Sequence, residues 1–459
     1  MNKFILLVDF GSTYTKFTAI NVTTIQVVAH LSLPTSHEQG IMTCYQTGEI
    51  SLLHQLGLPM FDDVFICSSA WGGFRMIAIG LTESLTAEAA KRAALGAGTR
   101  VVKTYHYRLT KEQVEEMNQL NADIILLSGG TNGGNQQIIC HNAKMLHRYL
   151  SSGTILVAGN EAAISEIRSL LTNTHLTIYY TKNVMPKVNV LQAEPVRKIA
   201  REIFLKKIIH TNGIDLVAKK SLLPIIPTPT SVLLAIQLLA DGLPTIEGIG
   251  HTLVVDVGGA TTDVFSVGNP AITDDQTFFE GLEEPYSKRT VEGDLGMRYS
   301  SESLIEAVGF EDFQRLFCGD KQALYRSIQK RIVQPTYLPD TKQEQQLDVL
   351  LASNAVALSV NRHVGTLRAS QTPNRTIFYQ IGKDLRNFPN VIGTGGVLVH
   401  HPQPKQILKH ACISDTVHLK PRSPNFFIDT HYLFSALGLL SQKYPKEALL
   451  LLKKMIVPC

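Results

Sequence analysis

The chain has 459 residues, 44% of them hydrophobic and 18% charged, with 43 Lys and Arg against 39 Asp and Glu. A net charge of +4 over that length, with no run of five basic residues and no interleaved aromatics, argues against nucleic acid as the main partner. No stretch reaches the ~18 apolar residues of a membrane span, and the six cysteines (Cys44, Cys67, Cys140, Cys318, Cys412, Cys459) form no CxxC pair.

A cytoplasmic protein with reduced thiols, no signal peptide, no membrane contact and no zinc or iron–sulfur site is therefore expected. Residues 4–10 read as a short buried strand broken by Gly11, and residues 13–29, rich in Thr, Val and Ile, as a hairpin or meander. Residues 64–67 form another strand, followed by Ser68, Ser69, Gly72 and Gly73. Residues 84–95 read as a helix ended by Gly96 and Gly98. Strands follow at 124–127, running into SGGTNGGN, and at 155–158. Glu194 and Pro195 open a helix well, and Val196, Ile199, Ala200 and Ile203 fall on one of its faces.

Residues 223–230 are Pro-rich and read as a loop before a short apolar helix over 231–240. The second half begins with a strand at 253–256, continued through a turn by 261–267. Helices are expected over 301–335 and 344–363, a strand at 391–392 capped by Gly393, Thr394, Gly395 and Gly396, and a helical end over 430–457. Apolar strands alternating with helices make the chain α/β with partly parallel sheets. Two domains are expected: 1–250, with a helical middle segment, and 251–459, whose C-terminal helix packs back on the first.

A long-range repeat supports that division. LLVDFGSTYTKF from Leu6 aligns without gaps to LVVDVGGATTDV from Leu253, placing Asp9 on Asp256, Gly11 on Gly258 and Thr15 on Thr262. A strand ending in Asp-x-Gly followed by hydroxyl residues suits phosphate binding. Glycine permits the tight turn, and successive amides form a concave anion site. Ser12, Thr13 and Thr15 add hydroxyls in the first loop and Lys16 a positive charge. Gly258, Gly259, Ala260, Thr261 and Thr262 repeat the parts in the second. A carboxylate beside phosphate becomes favourable once Mg²⁺ bridges them, so Asp9 and Asp256 are the candidates for holding the metal and for orienting an attacking water. Asp294 is either a ribose contact or a helix cap, and Arg298 either approaches phosphate or does not. Arg362 and His363 suit a helix C-terminus or an adenine or partner contact. His400 and His401 lack the companions of a metal site.

DFGSTYTK resembles the first phosphate motif of the actin, Hsp70 and sugar-kinase superfamily, DVGGATTD its second, and VIGTGG its adenosine motif. The resemblance implies two related ribonuclease H-like domains flanking a nucleotide cleft, with ATP and Mg²⁺ as cofactors. Onto this sequence it maps Gly11, Ser12, Thr13, Tyr14, Thr15 and Lys16 in the first motif, and Gly258, Gly259, Ala260, Thr261, Thr262 and Asp263 in the second. Asp294 and Gly393, Thr394, Gly395 and Gly396 complete the nucleotide set, with Asp9 and Asp256 as catalytic and metal-binding carboxylates. CSSAWGGFRMIAIGLT, ALGAG, ILLSGGTNGGN, NVMP, EPVRK, TVEGDLGMRYS, RHVG and GTGGVL together resemble the MutL family associated with glutamate mutase, unrelated to the mismatch-repair proteins of that name. That resemblance implies an accessory ATPase that reactivates or supports an adenosylcobalamin-dependent mutase. A small-molecule kinase of the same superfamily is the alternative, with Asn132 and Asn135 of the GGTNGGN loop available to a substrate. Trp71 stands where a small residue is expected and Asn132 where Asp is expected.

Overall fold

The structure is a computed structural model that describes residues 2–11, 14–35, 40–68, 74–97, 99–209, 214–269, 277–317, 320–372, 375–413, 415 and 417–459. Ser12, Thr13, Ser69, Trp71, Gly72, Gly73, Gly98 and Cys318 lie outside the described residues. The chain divides into two compact units. One comprises Met1–Val232, Gly281–Glu283 and Gly438–Glu447, the other Leu233–Glu280, Glu284–Leu437 and Ala448–Cys459.

The first unit opens with β1 (Phe4–Phe10), β2 (Tyr14–Asn21), β3 (Gln26–Pro34), helix α1 (Ile41–Leu56) and β4 (Asp63–Ser68). With the two-residue edge strand β10 (Ile226–Pro227) these make a five-stranded sheet of order β10-β4-β1-β2-β3, in which only β2 runs antiparallel to the rest. Alternate residues of β1 face opposite ways: Leu6, Val8 and Phe10 enter a core with Ile41, Tyr45 and Leu52 of α1, and Ile5, Leu7 and Asp9 face the other side. Tyr444 of the same unit meets that side, edge-on to Phe65, the β4 neighbour of Leu7.

Between β4 and β10 lies a second sheet that sequence periodicity disclosed only in part. Its strands are β5 (Arg75–Gly80), β6 (Arg100–His106), β7 (Ile124–Leu127), β8 (Thr154–Val157) and β9 (Thr177–Tyr180), all parallel, in the order β6-β5-β7-β8-β9. Helices α2 (Glu88–Gly96), α3 (Lys111–Gln119), α4 (Gln137–Tyr149) and α5 (Ile164–Leu170) alternate with them. Ala89 and Ala93 of α2 join Met76 and Ala78 on one face; Val114, Ala143 and Ile167 join Ile77 and Ile79 on the other. Both faces are covered, so the strands read as unbroken apolar runs such as IILL rather than as alternation. Helix α6 (Glu194–Ile209) starts at the Glu194–Pro195 pair as expected and is followed by α7 (Ile214–Ala218). The expected loop over 223–230 is shorter than sequence suggested. Helix α8 (Thr228–Asp241) begins three residues before 231, with Pro229 in its first turn, where a missing N–H costs nothing.

A small hairpin, β11 (Gly242–Leu243) and β12 (Ile246–Glu247), leads to the sheet of the second unit. This contains β13 (Thr252–Val257), β14 (Thr262–Val267), β16 (Ser287–Glu292), β19 (Asn390–Thr394), β20 (Asn425–Asp429) and β21 (Ile456–Pro458), in the order β16-β14-β13-β19-β20-β21. Its first five strands reproduce, position for position and direction for direction, the order of the first sheet. Two sheets of this topology are two related ribonuclease H-like folds, the architecture of the actin and sugar-kinase type. Strand β15 (Thr277–Glu280) joins β17 (Thr366–Thr372) and β18 (Arg375–Ile381) in a separate three-stranded sheet.

Helices α9 (Ser301–Val308), α10 (Phe310–Leu316), α11 (Lys321–Val333) and α12 (Lys342–His363) pack on Leu253, Val255 and Val264. Short helices α13 (Gly396–His400) and α14 (Lys405–Leu408) follow β19. The end, expected helical throughout 430–457, is α15 (Phe434–Ser441) and α16 (Pro445–Met455), then the edge strand β21. No described helix is long and apolar enough to cross a membrane.

Candidate functional site

The first loop is a hairpin turn closed between Phe10 and Thr15. The Gly11 amide donates to the Tyr14 carbonyl at 3.1 Å, and a Cβ on Gly11 would stand 2.5 Å from that oxygen, so only glycine fits. Thr35 Oγ1 donates to the Gly11 carbonyl at 2.9 Å and lies 3.0 Å from Thr15 Oγ1. Its one proton is spent on the carbonyl, so Thr15 is the donor of that pair. Thr15 is fully buried and braces the loop from behind, while Tyr14 is exposed.

Asp9 lies in one cross-strand row with Lys16 on β2 and Cys67 on β4. Although it is only 8% exposed, its carboxylate is held: Thr228 Oγ1, the first residue of α8, donates to Oδ1 at 2.6 Å. The Cys67 thiol lies against both groups. Burial first, and the charge of Asp9 second, push it well above the usual thiol range, so it stays neutral.

The second loop repeats the hairpin. The Gly258 amide donates to the Thr261 carbonyl at 3.0 Å, and a Cβ there would stand 2.8 Å from it. Behind this loop runs the segment TVEGDLGMRYS. Amides of Met297, Arg298 and Tyr299 donate to the carbonyls of Gly258 and Gly259 at 2.7–3.1 Å, and Ser300 Oγ donates to the Ala260 carbonyl at 2.8 Å. In a trans peptide the C=O and the following N–H point opposite ways. The amides of Gly259, Ala260 and Thr261 therefore face away from the supporting segment, as an anion-binding loop requires. Gly296 permits the contact, since its Cβ would come within 2.3 Å of the Ala260 carbonyl carbon. The Thr262 hydroxyl, equivalent to that of Thr15, is buried and donates to the Leu295 carbonyl at 2.7 Å.

Asp256 is paired laterally with Asp263 on β14 and Thr394 on β19. Asp263 is engaged by Arg289, whose Nη2 and Nε donate to Oδ1 at 2.8 and 3.0 Å. The β13–β19 pairing also brings in Thr394–Gly396: Gly395, at φ 99°, has its Cα against Val257, where a Cβ would lie 2.3 Å from the carbonyl oxygen. Gly393 is packed among Leu398, Leu408 and Ile428, and the space over Gly396 opens toward the Tyr432 hydroxyl. Burial, and then the charges of Asp256 and Asp429, push Tyr432 up to about 12.

Within the second unit, then, Asp256, the loop amides and Thr394–Gly396 converge, and Tyr432 joins them without any signal in the sequence. Mg²⁺ takes oxygen ligands, one or two of them carboxylates, and keeps several waters. The partly exposed Asp256 fits such a hydrated ion. Among the described residues no cluster of three or more His, Cys, Asp and Glu forms an all-protein metal cage, and His400 and His401 are part of none.

Asp294 caps no helix. Arg362 grips it with two hydrogen bonds, Nη1 to Oδ1 at 2.7 Å and Nη2 to Oδ2 at 2.9 Å, while also reaching Glu292 at 2.8 Å. This holds the Asp294 carboxyl below its usual range. Next to it, His363 is fully buried between the hydroxyls of Thr290 and Ser266, and burial holds it neutral. Arg298 turns away from the loop to Asp348 at 2.9 Å, and Asp348 also receives Arg331 Nε at 2.8 Å. The pair Arg298–Asp348 thus ties the supporting segment to α11 and α12.

The MutL protein family profile matches residues 5–456. Protein MutL of Clostridium tetanomorphum is 44% identical over 456 residues, covering 98% of this chain and 99% of its own. Among solved structures, gluconate kinase from Lactobacillus acidophilus is 13% identical with a TM-score of 0.36, covering 100% of this chain and 93% of that one. Glycerol kinase from Plasmodium falciparum, with ADP, is 9% identical with a TM-score of 0.34, covering 95% and 88%.

Proposed function

The chain belongs to the MutL family, and on that premise we propose that it binds ATP-Mg²⁺ at its Asp-Gly loops and hydrolyses it in support of an adenosylcobalamin-dependent mutase such as glutamate mutase. One observation carries the nucleotide reading. The same hairpin, with Asp on the strand and glycine at the turn, is built twice on sheets of one topology, and the second copy presents three outward amides beside Thr394–Gly396. The amides of Gly259, Ala260 and Thr261 bind phosphate oxygens; Thr394, Gly395 and Gly396 lie against the nucleoside. Magnesium supplies positive charge at the phosphates. Asp256, beside these amides, is the carboxylate that would hold the metal and orient the attacking water in the second unit, and Asp9 is its repeat counterpart in the first.

Water is favoured over a substrate hydroxyl by the state of the GGTNGGN loop. Asn132 Oδ1 accepts from Glu161 N and Asn183 Nδ2, and Asn135 Oδ1 accepts from Ile138 N, so both amide oxygens are already engaged by protein donors. The test is phosphate release from Mg-ATP by the purified protein, with Asp9→Ala and Asp256→Ala as controls, followed by addition of an inactivated mutase. Hydrolysis lost in both variants, and recovery of the mutase by the wild type alone, are expected. Undiminished turnover in both correctly folded variants rules the assignment out.

A further inference from the structure

The parallel sheet β5–β9 takes no part in the nucleotide proposal, yet its carboxyl edge is built with care. Open sheets of its strand order take ligands beyond the carboxyl ends of their strands. There, residues 128–135 leave β7 with Gly129, Gly130 and Gly133 at positive φ. The fully buried Asn160 locks them: Oδ1 accepts from the amides of Gly133 and Ala162, and Nδ2 donates to the carbonyls of Gly134 and Asn135. Asn183 adds a bond to the Gly130 carbonyl at 2.9 Å. Gly134 and Asn135 of this loop line an open cavity of about 790 Å³ that continues along α4, inside the ~300–1,000 Å³ span of small-molecule sites.

The cavity walls are charged with both signs. Gln137, Cys140, His141 and Lys144 recur on one side of α4 at helical spacing, and Glu166 of α5 completes the lining. The Cys140 thiol, pushed up to about 11 first by burial and then by the neighbouring Glu166, stays protonated, and Glu166 stands beside it at the wall. His141 Nε2 is tied to the Leu109 carbonyl at 3.1 Å and is not the anchor. A purely anionic ligand meets Glu166 unfavourably and a purely cationic one meets Lys144 unfavourably; a molecule with both charges satisfies both.

We propose that this cavity binds a small zwitterionic metabolite of the amino-acid class, its carboxylate on Lys144 and its ammonium on Glu166. The site is separate from the Asp-Gly loops, so its test does not depend on nucleotide binding. The full chain is titrated calorimetrically with glycine, L-alanine and γ-aminobutyrate, with acetate and ethylammonium as single-charge controls. Saturable binding of at least one zwitterion is expected, much tighter than either control. Lys144→Ala and Glu166→Gln should each weaken it about tenfold or more. Both residues are exposed, so their variants should melt as the wild type does, and Asp9→Ala should bind the zwitterion normally. No saturable heat from any zwitterion, equal binding of acetate, or unchanged affinity in both variants overturns the proposal.

Discussion

The loop after Asp9 and the loop after Asp256 share one hairpin but are held in different ways. Hydroxyls brace the first: Thr35, itself bonded by Thr15, holds the Gly11 carbonyl, and Thr228 holds Asp9. The second is braced by a stretch of backbone, residues 296–300, itself tied through Arg298 and Asp348 to a buried ion network with Arg331 and Glu344. The residue beside the aspartate differs too, Lys16 in one and Asp263, neutralised by Arg289, in the other. A repeat therefore keeps the hairpin while leaving each copy free to secure it from its own unit.

Breaking the support of the second loop should have the largest effect. Arg331 is fully buried, so Arg331→Ala leaves Asp348 and Glu344 short of their partner and costs about 3–5 kcal/mol. The urea midpoint reads this, and a loss below about 1 kcal/mol would show that the network is dispensable. Next come the carboxylates: Asp256→Ala and Asp9→Ala should each lower phosphate release by about a hundredfold or more. A variant that keeps its turnover marks its loop as structural only. Gly296→Ala forces a Cβ into the Ala260 backbone and should cost about 1–3 kcal/mol. ATP affinity should fall with it, whereas intact affinity would show that the supporting segment does not set the loop.

On the first side, Thr228→Val removes the donor to Asp9, a bond to a charged acceptor worth about 1.5–3 kcal/mol. It should lower kcat with little change in KM for ATP; a pure KM effect would assign Thr228 to binding instead. The smallest effect concerns pH. Lys383 is buried in the second unit, donating to the Tyr286 carbonyl at 2.7 Å, and burial followed by the charge of Lys288 pulls it down to about 7. An unfolded lysine keeps its proton to about 10.4. Between those limits the unfolded state binds more protons, so stability rises with pH. Urea unfolding at neutral and at mildly alkaline pH should show the wild type gaining relative to Lys383→Met. Parallel behaviour of the two would remove Lys383 as the source.

Several features were legible because they are local. The apolar run ending in Asp9, the glycine at Gly11 and their recurrence at Asp256 and Gly258 announced two sheets and two turns, since a strand followed by a tight turn leaves its mark within a dozen residues. The Glu194–Pro195 helix start was equally plain. The boundary at Thr228 was not, because Pro-rich sequence suits a loop and a helical first turn alike. Strands β5, β6 and β9 were hidden by an all-parallel sheet buried on both faces, which shows no alternation to find.

The amino-acid sequence by itself determined the α/β class, the repeat and the two aspartates. Only the tertiary structure decided that Thr228, 219 residues from Asp9, would hold it, that Tyr432 would stand by Asp256, and that Arg298 would pair with Asp348 rather than face the loop. Turn and strand preferences are properties of a few adjacent residues. Which distant side chain completes a carboxylate's hydrogen bonds is fixed by how the packed elements cross, and no local pattern records it.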